Sequence, residues 1–298
     1  MSNESCVVRT PRFFHFNQQT NTQIQEFLPS SVNLKTYAIN HLSGNPTNLK
    51  DSLVGVGNGL GQWLRNFHTW AADPAQAKLQ ADIKLNKEMQ MLKNAINYTA
   101  LVSKIDTYPD ILVDARDILE QVKKMSDDEM ADDHNLQVIH GDLWTGKYVY
   151  LIRSCLYRTT TRLTGIRSAL IPDQPLRDNT KPTIFIIDWE LCTFGVRPLD
   201  LGQMIAELYE LYLYRGILAG LWLIEGFCAG YAVEDDAIAF RTAIHVGTHL
   251  ICFGNVPGWG TDEQVLEVIS KGKEVIVRAW NQDREWFLAS ELAPLFKQ

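Results

Sequence analysis

Two stretches of the chain share one pattern, a short β-branched apolar run that stops abruptly at an acid. Val138-Ile139 leads into His140-Gly141-Asp142-Leu143, and Thr183-Ile184-Phe185-Ile186-Ile187 ends in Asp188-Trp189-Glu190. Such runs predict buried strands that bring carboxylates to a common edge. Near the start, Val7 to Phe16 and Thr22 to Leu28 read as two strands around the polar turn 17–21. Helical spacing then takes over. A short helix is predicted from Val32 to Leu42, closed by Ser43-Gly44-Asn45-Pro46. A second runs from Leu60 to Ala71, where Leu60, Trp63, Leu64, Phe67 and Trp70 recur on one face and predict core. Asp82 to Val102 and Ile111 to Met125 form two further amphipathic helices, parted by Asp106-Thr107-Tyr108-Pro109. Beyond the second acid, helices are expected over Leu199 to Tyr214, Leu221 to Tyr231, Glu234 to Cys252 and, very long, Asp262 to Leu288. Few strands and many helices make the expected fold class α+β.

Some local signals are better read as structure than as chemistry. Gly55-Val56-Gly57-Asn58-Gly59-Leu60-Gly61 matches neither a dinucleotide fingerprint nor a P-loop, and no strand precedes it, so these glycines are read as close packing at a helix start. The acidic Asp127-Asp128-Glu129 and Asp132-Asp133 are expected in a solvated loop before the first acid-tipped strand. Trp259, Trp280 and Trp286 are expected to pack rather than to line a cleft.

Composition narrows the function classes. The chain has 298 residues, 46% of them apolar and 21% charged, which is ordinary for a globular protein. A net charge of −7 argues against a nucleic-acid polymer as partner. Cys6, Cys155, Cys192, Cys228 and Cys252 show no paired spacing, so neither a disulfide framework nor a zinc ribbon is indicated, and a reducing cytoplasm is the simplest home. The most apolar stretch, Ile205 to Tyr231, carries Glu207, Glu210, Arg215 and Glu225, too many charges for a membrane span. No apolar leader follows Met1.

Two carboxylates at strand ends suit phosphoryl transfer, one accepting a hydroxyl proton and one holding a divalent metal on the phosphates. His140-Gly141-Asp142-Leu143 resembles the catalytic loop of the aminoglycoside phosphotransferase and choline kinase branch of the protein-kinase-like superfamily. Ile187-Asp188-Trp189-Glu190 resembles its metal segment, and Pro198-Leu199-Asp200-Leu201-Gly202 also fits. The likeness covers roughly residues 8 to 290 and is nearest to fungal members of unassigned substrate. It implies a kinase-like fold, ATP and Mg²⁺ as cofactors, and a small molecule with a hydroxyl as substrate. Asp142 would be the base or hydroxyl-orienting group and Asp188 the metal ligand. His140 and Asp200 would support the loop, and Glu26-Phe27-Leu28-Pro29 would be the hinge that touches adenine. Residues 1–30 would then be a remnant of the small lobe and 31–298 the helical lobe. The glycine-rich loop, the phosphate lysine and the helix pairing with it, expected before such a hinge, have no counterpart in these residues, so phosphotransfer by this chain is expected to be impaired.

One position departs from the family. Where the loop should end in a metal-binding Asn, five residues after Asp142, stands Lys147, whose ammonium would repel a cation. Residues 148–168 follow with Arg153, Arg158, Arg162 and Arg167 and no acid. They lengthen the path to Asp188 well beyond the family spacing. Lys147-Tyr148-Val149 can be encoded with a GTATGT intron donor, Leu163-Thr164 with a CTAAC branch sequence, and Arg167-Ser168 with a closing CAG; joining the flanks restores Asn. A retained intron over 147–168 is therefore the favoured expectation, against a genuine basic insert in an inactive kinase-like binding protein. A third reading makes His140, Asp142 and Asp188 ligands of a hydrolytic metal centre, which would turn over substrate without ATP.

Overall fold

Twelve helices and eight short strands are built from the described residues of the computed structural model, 5–145, 169–176, 181–254 and 260–297. Strands β1 (Val7–Arg9), β2 (Phe13–Asn17), β3 (Thr22–Gln25) and β4 (Ser31–Asn33) open the chain. Helices α1 (Leu34–His41), α2 (Lys50–Ala72), α3 (Ala77–Lys84), α4 (Lys87–Asn94), α5 (Ala100–Thr107), α6 (Pro109–Leu112) and α7 (Arg116–Ala131) follow. The centre holds β5 (Gln137–Ile139), β6 (Ala169–Pro172), β7 (Thr183–Ile186) and β8 (Thr193–Gly195). The rest is helical: α8 (Pro198–Arg215), α9 (Ala219–Tyr231), α10 (Asp236–Cys252), α11 (Asp262–Trp280) and α12 (Arg284–Leu288). The class is α+β, as expected. Lys147 and the stretch 147–168 lie outside the described residues, as does Trp259.

The strands form three small sheets. The order β1-β7-β6-β4 makes one, β2-β3 a hairpin, and β5-β8 a third. The two acid-tipped strands therefore do not share an edge, contrary to expectation. After Asp188 the chain makes a tight turn over Trp189–Leu191 into β8, and β8 pairs with β5, so the crossing between sheets is what brings the two acids together. The first strand expected as Val7 to Phe16 is broken. Val7–Arg9 runs parallel to β7, leaving only Phe13–Asn17 to pair with β3.

The helical layer centres on α8, with nearly every residue of Pro198–Tyr214 buried. Around it α9, α10 and α11 supply Phe227, Tyr231, Val246, Leu250, Ile269 and Ile276 to one continuous core. The glycines of 55–61 lie inside α2, which begins ten residues before the predicted start, so they are not its opening. A Cβ at Gly57 or Gly61 would fall on the Leu223 or Phe227 carbonyl of α9, and one at Gly226 or Gly230 on the Val54 or Asn58 carbonyl of α2. Reciprocal glycines let the two backbones touch, which is the close packing that the sequence suggested.

Three predicted helices have different bounds. Asp82 to Val102 is interrupted after Lys84, where Asn86 caps α4, and a single π turn spans Ala95–Thr99 before α5. Asp262 to Leu288 breaks at Asn281–Asp283, where Gln282 takes a positive φ of 54° and Asp283 caps α12. The acidic stretch from Asp127 is the last turn of α7 rather than a loop. There Glu129 receives Arg241 in two bonds of 2.7 and 2.8 Å, so its charge is paired across helices. Trp280 and Trp286 are half-buried against the core.

Candidate active site

The loop after β5 is fixed by one buried acid. Asp200, in the first turn of α8 and fully buried, accepts the backbone N–H of His140 at 2.8 Å on one oxygen and that of Gly141 at 2.8 Å on the other. His68 of α2 donates from Nε2 to the same carboxylate at 3.0 Å, and the Tyr231 hydroxyl meets His68 Nδ1 at 3.0 Å. Burial works to raise the Asp200 pKa, but the hydrogen bonds from His68 and from the Gly141 N–H hold it below the usual carboxylate range. Asp200 is thus an anion that shapes the loop and has no lone pair left pointing at solvent.

His140 is equally constrained. Burial lowers its pKa, so the ring is neutral. Its Nε2 lies 3.1 Å from the Ile187 carbonyl and must donate there, which leaves Nδ1 to accept the Asp142 N–H at 3.3 Å. One imidazole therefore ties the loop bearing Asp142 to the strand end bearing Asp188. Gly141 adds a second tie. Its φ is +79°, and a Cβ there would strike the Leu191 carbonyl. Any other residue would push the two segments apart.

Asp142 projects beyond this frame, half-buried, with Oδ1 receiving Gln203 Nε2 at 3.0 Å. Asp188 is held in the left-handed region, φ 71° and ψ 63°, an uncommon conformation for a residue with a side chain. Its pKa is pushed up to about 7 by burial and by the charges of Asp142 and Glu190. Asp188 Oδ2 is buried without a hydrogen-bond partner among the described residues. Glu190 is raised as well, by burial and by Asp142. Three mutually repelling carboxylates with a bare buried oxygen are what a hard divalent cation neutralises. Behind them, Trp189 packs on His140 at 4.4 Å between ring centroids and edge-on to Phe67 at 5.1 Å, so Phe67, read as core, also backs the segment after Asp188, whereas Trp70 of the same predicted face is 50% exposed.

Glu26, Phe27 and Leu28 lie between β3 and β4, and β4 is parted by β6 from β7, the strand that leads to Asp188. Arg9 binds Glu26 through two bonds of 3.1 and 2.7 Å, while Phe27 is 85% exposed. Three site residues were not picked out from sequence. Gln203 and Glu190 were legible as polar residues three after Asp200 and two after Asp188. Lys93 was not. It is buried, its pKa is lowered by burial and raised by the fields of Asp142 and Asp200, and it reaches the site only because α4 folds beneath it.

A loop carboxylate braced through its backbone thus stands beside Asp188, which is held in the left-handed region, and Glu190. No family model matches the chain. The phosphotransferase FrzJ of a Cladobotryum species is 24% identical over a 306-residue alignment that covers 99% of this chain and 73% of FrzJ. The 4-hydroxytryptamine kinases of Psilocybe cyanescens and Psilocybe cubensis are 27% identical over 111 residues and 24% identical over 153. They match 37% and 51% of this chain, which spans 31% and 36% of their lengths. Among solved structures, an ethanolamine kinase of Plasmodium vivax aligns over 94% of this chain and 68% of its own, with a TM-score of 0.43 and 12% identity. The similarity to the phosphotransferase FrzJ thus runs along almost the whole chain.

Proposed function

We propose that the chain is an ATP-dependent phosphotransferase acting on a hydroxyl of a small molecule, with Asp142 as the hydroxyl-orienting base and Asp188 as the Mg²⁺ ligand. The observation that carries this reading is the unpartnered, buried Asp188 oxygen beside Asp142 and Glu190. The donor set is all oxygen, which suits Mg²⁺ rather than a softer ion. When bound, the ion would neutralise the phosphate oxygens and hold them in line. Asp142, its Oδ1 held by Gln203, would align the attacking hydroxyl and take its proton as the O–P bond forms. His140 and Asp200 would keep the loop in register without touching substrate. The segment Glu26 to Leu28 would meet adenine. The names of the relatives, two of them kinases of a hydroxylated aromatic amine, support a hydroxyl acceptor that also bears an amine. A division into a small-lobe remnant over 1–30 and a helical lobe over 31–298 is part of the same proposal, as is a cytoplasmic location. No helix of the described residues is long and apolar enough to cross a membrane.

The test is transfer of labelled phosphate from ATP to a panel of hydroxylated amines with Mg²⁺, by the chain and by its Asp188→Asn variant. Mg²⁺-dependent product that vanishes in the variant is the expected result. Turnover without ATP would favour the hydrolase reading. A second reading, a kinase-like binding protein without turnover, draws on Lys147 in place of the loop-closing Asn. It is distinguished by substrate binding with no transfer, in the chain as it stands and after Lys147→Asn.

A further inference from the structure

Along one face of α8 a row of polar side chains runs inward from the loop. Asp200 braces it, Gln203 holds Asp142, Glu207 accepts the Thr145 hydroxyl at 3.3 Å, and Glu210 comes one turn deeper. Glu207 also meets His249 Nε2 of α10 at 2.9 Å. Glu207 and Glu210 are each 0% exposed and His249 3%. One ligand atom from each of the three lies within 4.8 Å of the others. Neither oxygen of Glu210 has a hydrogen-bond partner among the described residues.

Two buried carboxylates, one of them bare, cannot both stay ionised without a cation. Burial and the Glu207 charge drive the Glu210 pKa well up, against the pull of Lys35. Lys35 supplies one positive charge, since burial lowers its pKa only to about 8, but one ammonium faces two carboxylates. Protonating Glu210 would remove its charge and leave its hydroxyl and carbonyl without partners. A metal ion would satisfy both oxygens at once.

We propose that Glu207, Glu210 and His249 form a second cation site, distinct from Asp188, that takes a borderline first-row divalent ion such as Zn²⁺. The imidazole separates it from an Mg²⁺ or Ca²⁺ site, where all-oxygen donors are the rule, and histidine nitrogen and carboxylate oxygen are both zinc donors. Binding would require only that the three donors close by an ångström or so toward Zn–N and Zn–O distances of about 2.0–2.2 Å. It would clip α8 to α10 and, through the Glu207 bond to Thr145, stiffen the loop that carries Asp142.

The test uses the whole chain, stripped with a chelator and then equilibrated with Zn²⁺. The Asp188→Asn variant is treated in the same way, to silence the phosphate-metal position. Both are expected to retain about one zinc per chain and to melt several degrees higher with it. Glu210→Gln, which keeps the shape and loses the charge, should bind at least tenfold more weakly and lose the shift. Zinc X-ray absorption of the unmodified chain should show one imidazole nitrogen in an otherwise oxygen shell, a readout that survives if Glu210→Gln does not fold. No stoichiometric zinc, zinc lost with Asp188→Asn but kept in Glu210→Gln, or an all-oxygen shell would each overturn the proposal. So would a Glu210-dependent melting shift given by tryptamine and not by Zn²⁺, which would make the cluster an organic-cation pocket.

Discussion

Asp142 and Asp188 differ in what the protein does to them, and the difference can be measured. An orienting base acts mainly in the transition state, so Asp142→Ala should lower kcat by about a hundredfold or more with KM for ATP little changed, checked by steady-state kinetics. Asp188, in the metal-free protein, holds its proton up to about pH 7, whereas an unfolded Asp loses it near 3.9. Between those values the folded state binds more protons than the unfolded one, so metal-free stability from this group falls as pH rises from about 4 to about 7 and is level above that. Mg²⁺ must displace the same proton. Its affinity should therefore drop by up to about tenfold per pH unit below pH 7, seen by calorimetry, and Asp188→Asn should abolish that slope. A pH-independent affinity between 5 and 7 would mean that the carboxylate is already ionised. These acids were legible in the sequence because each ends an apolar run and because their motifs stand in order. The brace on Asp200 was legible in outline. Its partner His68 was not, since a histidine 132 residues away on a helix face carries no local mark of the aspartate that it meets.

At the scale of elements, strands and helices with strong period were read correctly, and the errors fell where a local device interrupts a periodic pattern. Asn86 restarts a helix, and Gln282 and Asp283 end one and start another, at caps that an apolar pattern alone does not mark. Pairing partners were less accessible. That Val7–Arg9 joins β7 rather than the hairpin is a long-range choice made by burial of Val8, which a local reading cannot see. The glycine run was understood in kind, and it yields a prediction. An alanine at Gly61 gains about 1 kcal/mol of helix propensity, but its methyl would displace the Phe227 carbonyl of α9, and overpacking of this sort costs about 1–3 kcal/mol. Gly61→Ala should lower the melting temperature, and Gly61→Val should lower it further. Gly44→Ala, where a Cβ meets nothing within 4 Å, should leave it unchanged. Equal melting of the Gly44 and Gly61 variants would show that α2 and α9 are not in backbone contact.

Across the whole molecule, the distribution of apolar surface is uneven, and it has a consequence in solution. The helical layer buries a continuous core and exposes only scattered large side chains such as Trp70, Leu85 and Met91, yet in β2 and β3 every residue is exposed. Phe13, Phe14, Phe16 and Ile24 are 43–59% exposed, and Phe27 just beyond the hairpin is 85% exposed. Lone apolar residues at a surface are ordinary, but five on one hairpin and its exit are a concentration of apolar surface, and the hairpin's outer edges offer unpaired backbone groups as well. In a kinase-like reading this is the surface that a larger sheet would cover; among the described residues nothing covers it. The net charge of −7 opposes self-association only weakly here, because salt screens it within about 8–10 Å at physiological ionic strength and the hairpin itself carries no acid. The chain should therefore self-associate with rising concentration and salt. Replacing Phe13, Phe14 and Phe16 together with Thr keeps β-propensity while removing the aromatic surface. Light scattering should then show a monomer over a wider concentration range, with the melting temperature of the helical layer shifted by no more than a degree or two. If the triple variant instead unfolds, the three rings are buried against something in solution, and the hairpin is an integrated part of the core rather than an uncovered face.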